Sequence, residues 1–153
     1  RIAAEDAVLR ARHRCAQAGR SPVIVVDTNV VAYLFLEGEF TVPAEALLQR
    51  DAEWVAPVLW RSELRSILAG YLRRRALTFD QARSIQAEAE SLLAGGEFDV
   101  DSASVLELVR DSDCSAYDCE FVALAMVLGV KLVTMDAKLL RAFPEYVVAL
   151  SGG

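Results

Sequence analysis

Histidine is nearly missing from this sequence: 153 residues contain one, His13. That scarcity excludes most Ser–His and Cys–His nucleophilic chemistry and most imidazole metal sites. Cysteine is almost as thin. Cys15, Cys114 and Cys119 form an odd set with no C-x-x-C spacing, so neither a disulfide framework nor a thiolate zinc site follows. The expectation is three reduced thiols, some of them small core residues. No apolar run approaches the ~20 residues that a membrane span needs. Residues 1 to 20 are too charged to hold the apolar stretch of a signal peptide, and the reading is a cytoplasmic protein. Internal repeats and low-complexity tracts are also missing. If the chain is an enzyme, its acid–base and metal chemistry must rest on carboxylates.

What is present suits one domain with a real core: 54% of the residues are hydrophobic and 25% are charged. The net charge of −6 argues against a purely electrostatic nucleic-acid binder. The charge is also uneven. Residues 1 to 20 carry five arginines against two acids, and the remainder carries 11 basic and 20 acidic residues. An acidic body can still meet a nucleic acid if cations sit in its acidic cleft and local arginines touch phosphate.

Residues 1–21 read as a charged helical extension ending at Gly19 before the breaker Pro22, and residues 22–153 as the functional domain. Val23-Ile24-Val25-Val26 is a continuous β-branched run, the mark of a strand buried on both faces of a parallel sheet. Helices are expected over Val30–Leu36, Pro43–Arg50, Leu59–Arg75, Thr78–Ala94, Ser102–Arg110, Asp118–Leu128 and Ala137–Arg141. Strands are expected over Trp54–Ala56, Phe98–Val100, Lys131–Thr134 and Val147–Leu150. Thr78 opens its helix as a capping residue, and Gly95-Gly96 and Gly129 close theirs. Strands alternating with helices predict an α/β fold, a three-layer α/β/α sandwich around a central, mainly parallel sheet.

In such a sheet, ligands bind beyond the carboxyl ends of the strands. Asp27 and Asp136 each follow an apolar strand at that end. On a helix starting near Asp118, Phe121, Val122 and Ala125 fall on the same face as the acid. Glu63 borders the stripe of Trp60, Leu64, Ile67, Leu68 and Tyr71, where a solvated acid would stand opposite it. Carboxylates that converge repel one another, and a divalent cation removes the conflict. Mg²⁺ and Mn²⁺ prefer hard oxygen donors, and such an ion lowers the pKa of a bound water and neutralises a phosphoryl oxygen. A site built from carboxylates without histidine therefore suits phosphodiester hydrolysis.

The run Val23-Ile-Val-Val-Asp27-Thr28-Asn29-Val resembles the opening of PIN domains. Glu63 in Trp60-Arg-Ser-Glu-Leu is similar to their second acidic position. Ala116-Tyr-Asp118-Cys-Glu-Phe-Val-Ala-Leu-Ala125 resembles the third, and Leu132-Val-Thr134-Met-Asp136-Ala-Lys-Leu139 the fourth. Four motifs in order over about residues 23 to 150 are specific where one alone is weak. The resemblance implies a metal-dependent nuclease in which Asp27, Glu63, Asp118 and Asp136 bind or orient Mg²⁺ or Mn²⁺ and activate water. It implies that Thr28, Asn29 and Thr134 support them by hydrogen bonds. The single-domain size is similar to VapC-type toxins, which implies an RNA substrate, a cognate antitoxin and a homodimer. Residues 1–21 depart from that pattern, because such toxins begin almost at the first strand.

Each acid also has a plainer reading. Asp27, Asp118 and Asp136 are candidate helix caps, and Glu63 a solvated helix acid. Asp111 and Asp113 read as loop acids, and Arg73-Arg74-Arg75 as a helix end facing water that also suits the dipole. Trp60 and Tyr117 are expected in the core, although either ring has the shape to stack on a base. A phosphatase of the haloacid dehalogenase type would need a second Asp two residues after Asp27, where Asn29 stands. A response-regulator receiver would need paired acids near the first strand and a late strand ending in Lys; here the strand ends in Thr134. A catalytically silent PIN-like interaction module is the remaining alternative, and the presence of all four acids argues against it.

Overall fold

The computed structural model describes residues 23–151. The helix expected over residues 1–21, with His13 and Cys15, lies outside the described residues. From the start of the domain the order is β1 (Ile24–Val26), α1 (Thr28–Phe35), α2 (Thr41–Arg50), β2 (Trp54–Pro57), α3 (Trp60–Arg73) and α4 (Phe79–Leu92). It continues with β3 (Glu97–Phe98), α5 (Ser102–Arg110), α6 (Ala116–Leu128), β4 (Leu132–Thr134), α7 (Ala137–Ala142) and β5 (Val147–Ala149). Every element expected within the described residues is present with its expected type.

The five strands form one sheet in the order β3-β2-β1-β4-β5, and every neighbouring pair is parallel. Ile24 pairs with Trp54 on one side of β1, and Val25 with Leu132 on the other. β1 is buried along its whole length, as its unbroken β-branched run requires. Helices flank the sheet, which is the α/β arrangement read from the alternation. No described helix is long and apolar enough to cross a membrane.

Helix α6 is the centre of the core. It packs across β1, β2 and β4 and buries Cys119, Phe121, Val122, Ala123, Leu124, Ala125 and Leu128. A helix that is apolar on nearly every side belongs inside a protein. Its left-handed cap at Gly129, φ 66°, ends it where β4 must begin. Cys114 and Cys119 are free thiols buried in this region.

One boundary bears on the site. The third-motif helix starts at Ala116 rather than Asp118, because the Ser115 side chain accepts the Asp118 backbone N–H at 3.1 Å and is the cap. The capping reading of Asp118 is thereby corrected: a hydroxyl three residues upstream does that work, and the Asp118 carboxylate is left for other contacts. At α4 the expected cap is found. Thr78 Oγ1 accepts the Gln81 backbone N–H while the Gln81 side chain accepts the Thr78 N–H, a reciprocal box.

The Gly95-Gly96 stop does two things. Gly95 sits at φ 78° and turns the chain. Gly96 starts the approach to β3 so close to β2 that a Cβ would lie 2.5 Å from the Trp54 carbonyl oxygen. Backbone cannot yield as a side-chain tip does. Gly96→Ala is expected to destabilise the fold by about 1–3 kcal/mol. Gly38→Ala, whose Cβ would meet nothing closer than 4.0 Å, should stay within about 0.5 kcal/mol of wild type. Urea denaturation midpoints check both.

Candidate active site

The chain leaves β1 for β2 on one side and meets β4 on the other, so the direction of winding reverses between β1 and β4. The crevice beyond the strand ends at such a point is where open parallel sheets receive ligands. Asp27 is the first residue past β1, Thr134 the last of β4, and Asp136 lies two residues beyond it.

Asp27 is 7% exposed. Its Oδ1 accepts the Thr28 backbone N–H at 2.8 Å and its Oδ2 accepts the Thr134 hydroxyl at 2.7 Å. It is therefore the N-cap of α1 and part of the crevice at once; the two readings do not compete. Thr134 is fully buried. While its hydroxyl donates to Asp27, its Oγ1 accepts the Asp136 backbone N–H at 3.0 Å. Asp136 in turn caps α7, its Oδ1 accepting the N–H groups of Lys138 at 2.8 Å and Leu139 at 3.3 Å. Across the crevice, Thr28 donates its hydroxyl to Glu63 Oε1 at 2.9 Å. The two threonines thus act through hydrogen bonds on Asp27 and Glu63.

The electrostatics bind the four acids together. The Asp27 carboxyl is raised from 3.8 to about 6, with burial the largest cause. Hydrogen bonds from Thr134 and Thr28 pull it back, and the charges of Asp118 and Asp136 push it up again. Burial is also the main cause that raises Glu63. The Thr28 hydroxyl opposes it, and Asp27, Asp118 and Glu120 reinforce it. Asp118 is raised by burial and by Asp136, against the Ser115 hydrogen bond and the positive charge of Lys138. Each of these carboxylates feels others, with Lys138 the cation that offsets Asp118.

The donor set is hard oxygen throughout, which suits Mg²⁺ or Mn²⁺. No three His, Cys, Asp or Glu side chains among the described residues are gathered closely enough to cage an ion directly. An ion held here would take one or two carboxylates and keep several waters, as Mg²⁺ commonly does.

Other candidates fall elsewhere. Asn29 makes no contact with the acids through Oδ1, which is buried without a hydrogen-bond partner. Trp60 is fully buried, its indole N–H donating to Glu97 at 2.7 Å, so it is a core residue as expected. Tyr117 is not: it is 65% exposed next to Asp118. Asp111 is paired with Arg110, as a loop acid.

Two acids escaped the sequence reading. Glu120 adds its charge to Glu63 and is itself raised by burial and by Asp99. Asp99 carried a usable signal, since it directly follows a strand. The strand expected over Phe98–Val100 hid it, whereas β3 stops at Phe98.

The PIN domain family matches residues 24–144 of this chain. Ribonuclease VapC3 of Pyrobaculum aerophilum is 28% identical over 131 residues, covering 81% of this chain and 97% of that protein. Among solved structures, FitAcB from Neisseria gonorrhoeae superposes with a TM-score of 0.67 at 18% identity, over 83% of this chain and 97% of the other. PAE2754 from Pyrobaculum aerophilum does so with a TM-score of 0.61 at 17% identity, over 83% of each chain. These two likenesses are of fold. The family match takes in Asp27, Glu63, Asp118 and Asp136 with the strands and helices that carry them, and the chain belongs to the PIN domain family.

Proposed function

We propose that the protein is an endoribonuclease that hydrolyses RNA phosphodiesters with Mg²⁺ or Mn²⁺ bound among Asp27, Glu63, Asp118 and Asp136. The observation that carries this reading is Asp27, a buried carboxylate at the switch point of the sheet, facing other acids. A folded chain that spends stability to keep negative charges together has a cation to receive.

The residues divide the work. Thr134 fixes Oδ2 of Asp27 and Thr28 fixes Oε1 of Glu63, so each acid keeps its remaining lone pairs in set directions. Asp118, held on the first turn of α6, and Asp136, at the start of α7, add their charge to that of Asp27. A divalent cation bound there would lower the pKa of water and neutralise charge on a phosphoryl oxygen. Lys138, close enough to Asp118 to lower it, is placed to meet a phosphate. By the same family likeness, we propose a toxin of a toxin–antitoxin pair, acting in the cytoplasm as a homodimer and restrained by a cognate antitoxin.

Asp27→Asn and Asp118→Asn keep the shape of the site and remove charge. Both are expected to fold and to lose more activity than Thr134→Val, for which a loss of about 10–100-fold follows from loosening a ligand's support. Cleavage of a mixed RNA pool with Mn²⁺ or Mg²⁺, and with EDTA, reads all three. Metal-dependent cleavage near wild-type level by folded Asp27→Asn protein would remove the carboxylates from the mechanism.

Stability should carry the same signature. Asp27 holds its proton to about pH 6 when folded, against 3.8 ordinarily. The folded state then binds more protons than the unfolded state between about pH 4 and 6, and stability falls as pH rises through that window. Raising the carboxyl from 3.8 to about 6 corresponds to about 3 kcal/mol. Glu63 and Asp118 are raised too and act in the same direction, while Glu97, lowered mainly by its hydrogen bond from Arg61, acts against it. Metal-free wild type is expected to melt at lower temperature at pH 7 than at pH 5. Asp27→Asn should remove most of that difference, and Mg²⁺ should raise the melting temperature of wild type at pH 7 but not of the variant. Thermal denaturation at the two pH values settles it.

A further inference from the structure

A cavity of about 380 Å³ opens between α1, the start of α2 and α3, lined by Asn29, Tyr33, Phe40, Ile67 and Tyr71. It shares two helices with the carboxylate crevice: Asp27 caps α1 and Glu63 lies on α3. Asn29 follows Thr28, whose hydroxyl joins α1 to Glu63. Ile67 and Tyr71 lie one and two turns along α3 from Glu63, on the same face. The Tyr33 phenol registers the charge of Asp27, after the larger effect of its own burial, so this wall stands within electrostatic reach of the site. The stripe read from the sequence of α3 explains the lining. Trp60, Leu64 and Leu68 are buried, while Ile67 and Tyr71 stay half-buried because they face this space.

We infer that this groove is a subsite for a single unpaired nucleobase adjoining the scissile phosphate, with Tyr33 and Tyr71 as its aromatic walls and Asn29 as its hydrogen-bonding edge. The inference rests on the ribonuclease reading and adds where the substrate's base goes. Three features select that occupant. Aromatic rings line it: Tyr33 and Phe40, with ring centroids 4.9 Å apart, and Tyr71, which also carries the Arg74 guanidinium 4.7 Å from its centroid. Rings of this kind hold splayed bases by stacking. Asn29 lines the groove and its Oδ1 is buried without a hydrogen-bond partner, and a base edge presents the donor that this oxygen lacks. Glu37 and Glu39 also line the groove and repel a phosphate, so the uncharged base enters while the backbone stays at the carboxylates. The volume suits one nucleotide unit and is short for a helix or strand of a partner. A basic side chain would satisfy the acidic rim as well, and the test separates it.

The test has two arms. In the first, wild type, Asn29→Ala and Tyr71→Ala cut an RNA library randomised around the cleavage position, and the products are sequenced. Wild type is expected to favour one base at a single position beside the cut, and both variants to lose that preference at least about 10-fold while other positions keep theirs. The variants lie on different helices, so one misfolded protein does not decide the matter, and melting curves identify it. A wild-type profile flat at every position overturns the inference, as does an unchanged preference in both folded variants; in either case the nuclease itself stands. The second arm needs no cleavage. Adenosine, cytidine, guanosine and uridine are titrated into ¹⁵N-labelled Asp27→Asn protein, following the Asn29 side-chain amide by NMR. A saturable shift, lost in the Asp27→Asn, Tyr71→Ala double variant, supports the subsite even if the wild type cuts no RNA. No nucleoside response, with saturation instead by an arginine-containing peptide, assigns the groove to a protein partner and overturns it.

Discussion

Asp27 must be buried and negatively charged at once, and those demands oppose each other. Burial above all, with the neighbouring acids, lifts its carboxyl to about 6 against the pull of its hydrogen bonds. Two hydrogen bonds, from the Thr28 backbone and the Thr134 hydroxyl, are what hold the charged form in place. The second also crosses from β1 to β4, the pair of strands between which the sheet changes direction. Because Thr134 accepts the Asp136 N–H with the same oxygen, one buried hydroxyl sets the positions of two acids. Threonine suits this place. Its β-branch fills a strand position and its hydroxyl can donate and accept together.

Most of this was readable from residue order. The β-branched run before Asp27 announced a doubly buried strand, and the apolar surroundings of Asp118 announced an acid facing the core. The helix caps show why reading further is harder. Asp27 caps α1 and lines the crevice, and nothing in a sequence says that one carboxylate does both. Ser115 was overlooked as the cap of α6 because an aspartate sat at the motif itself. A two-residue strand left Asp99 on the wrong side of a boundary. Tyr117 was assigned to the core by its size, yet it lies exposed on the first turn of α6. Asn29 sits within a motif that pointed to the acids, yet its Oδ1 lies buried with no partner, beside a groove made by residues from three helices. Such a groove is a property of packing, which no local pattern encodes.

With one histidine outside the described residues, the described domain has no group with an ordinary pKa near neutrality. The acid cluster makes its own: burial and mutual repulsion bring Asp27 into the range where it exchanges protons at moderate pH. A bound cation would reverse that tendency and return Asp27 to its charged form. Charge, fold stability and metal occupancy are thus linked through one side chain.

The strands are two to four residues long, so the sheet offers few hydrogen-bonded rungs and cannot be the most persistent part of the molecule by itself. Helix α6, wrapped in apolar contacts and laid across three of those strands, is the spine that keeps them in register. Backbone amides in its middle would then exchange with solvent only when the whole domain opens, while those near the outer strands exchange through smaller fluctuations. Asp118 is fixed to the first turn of that spine, so the acid on which the crevice closes is anchored to the part of the protein that moves least.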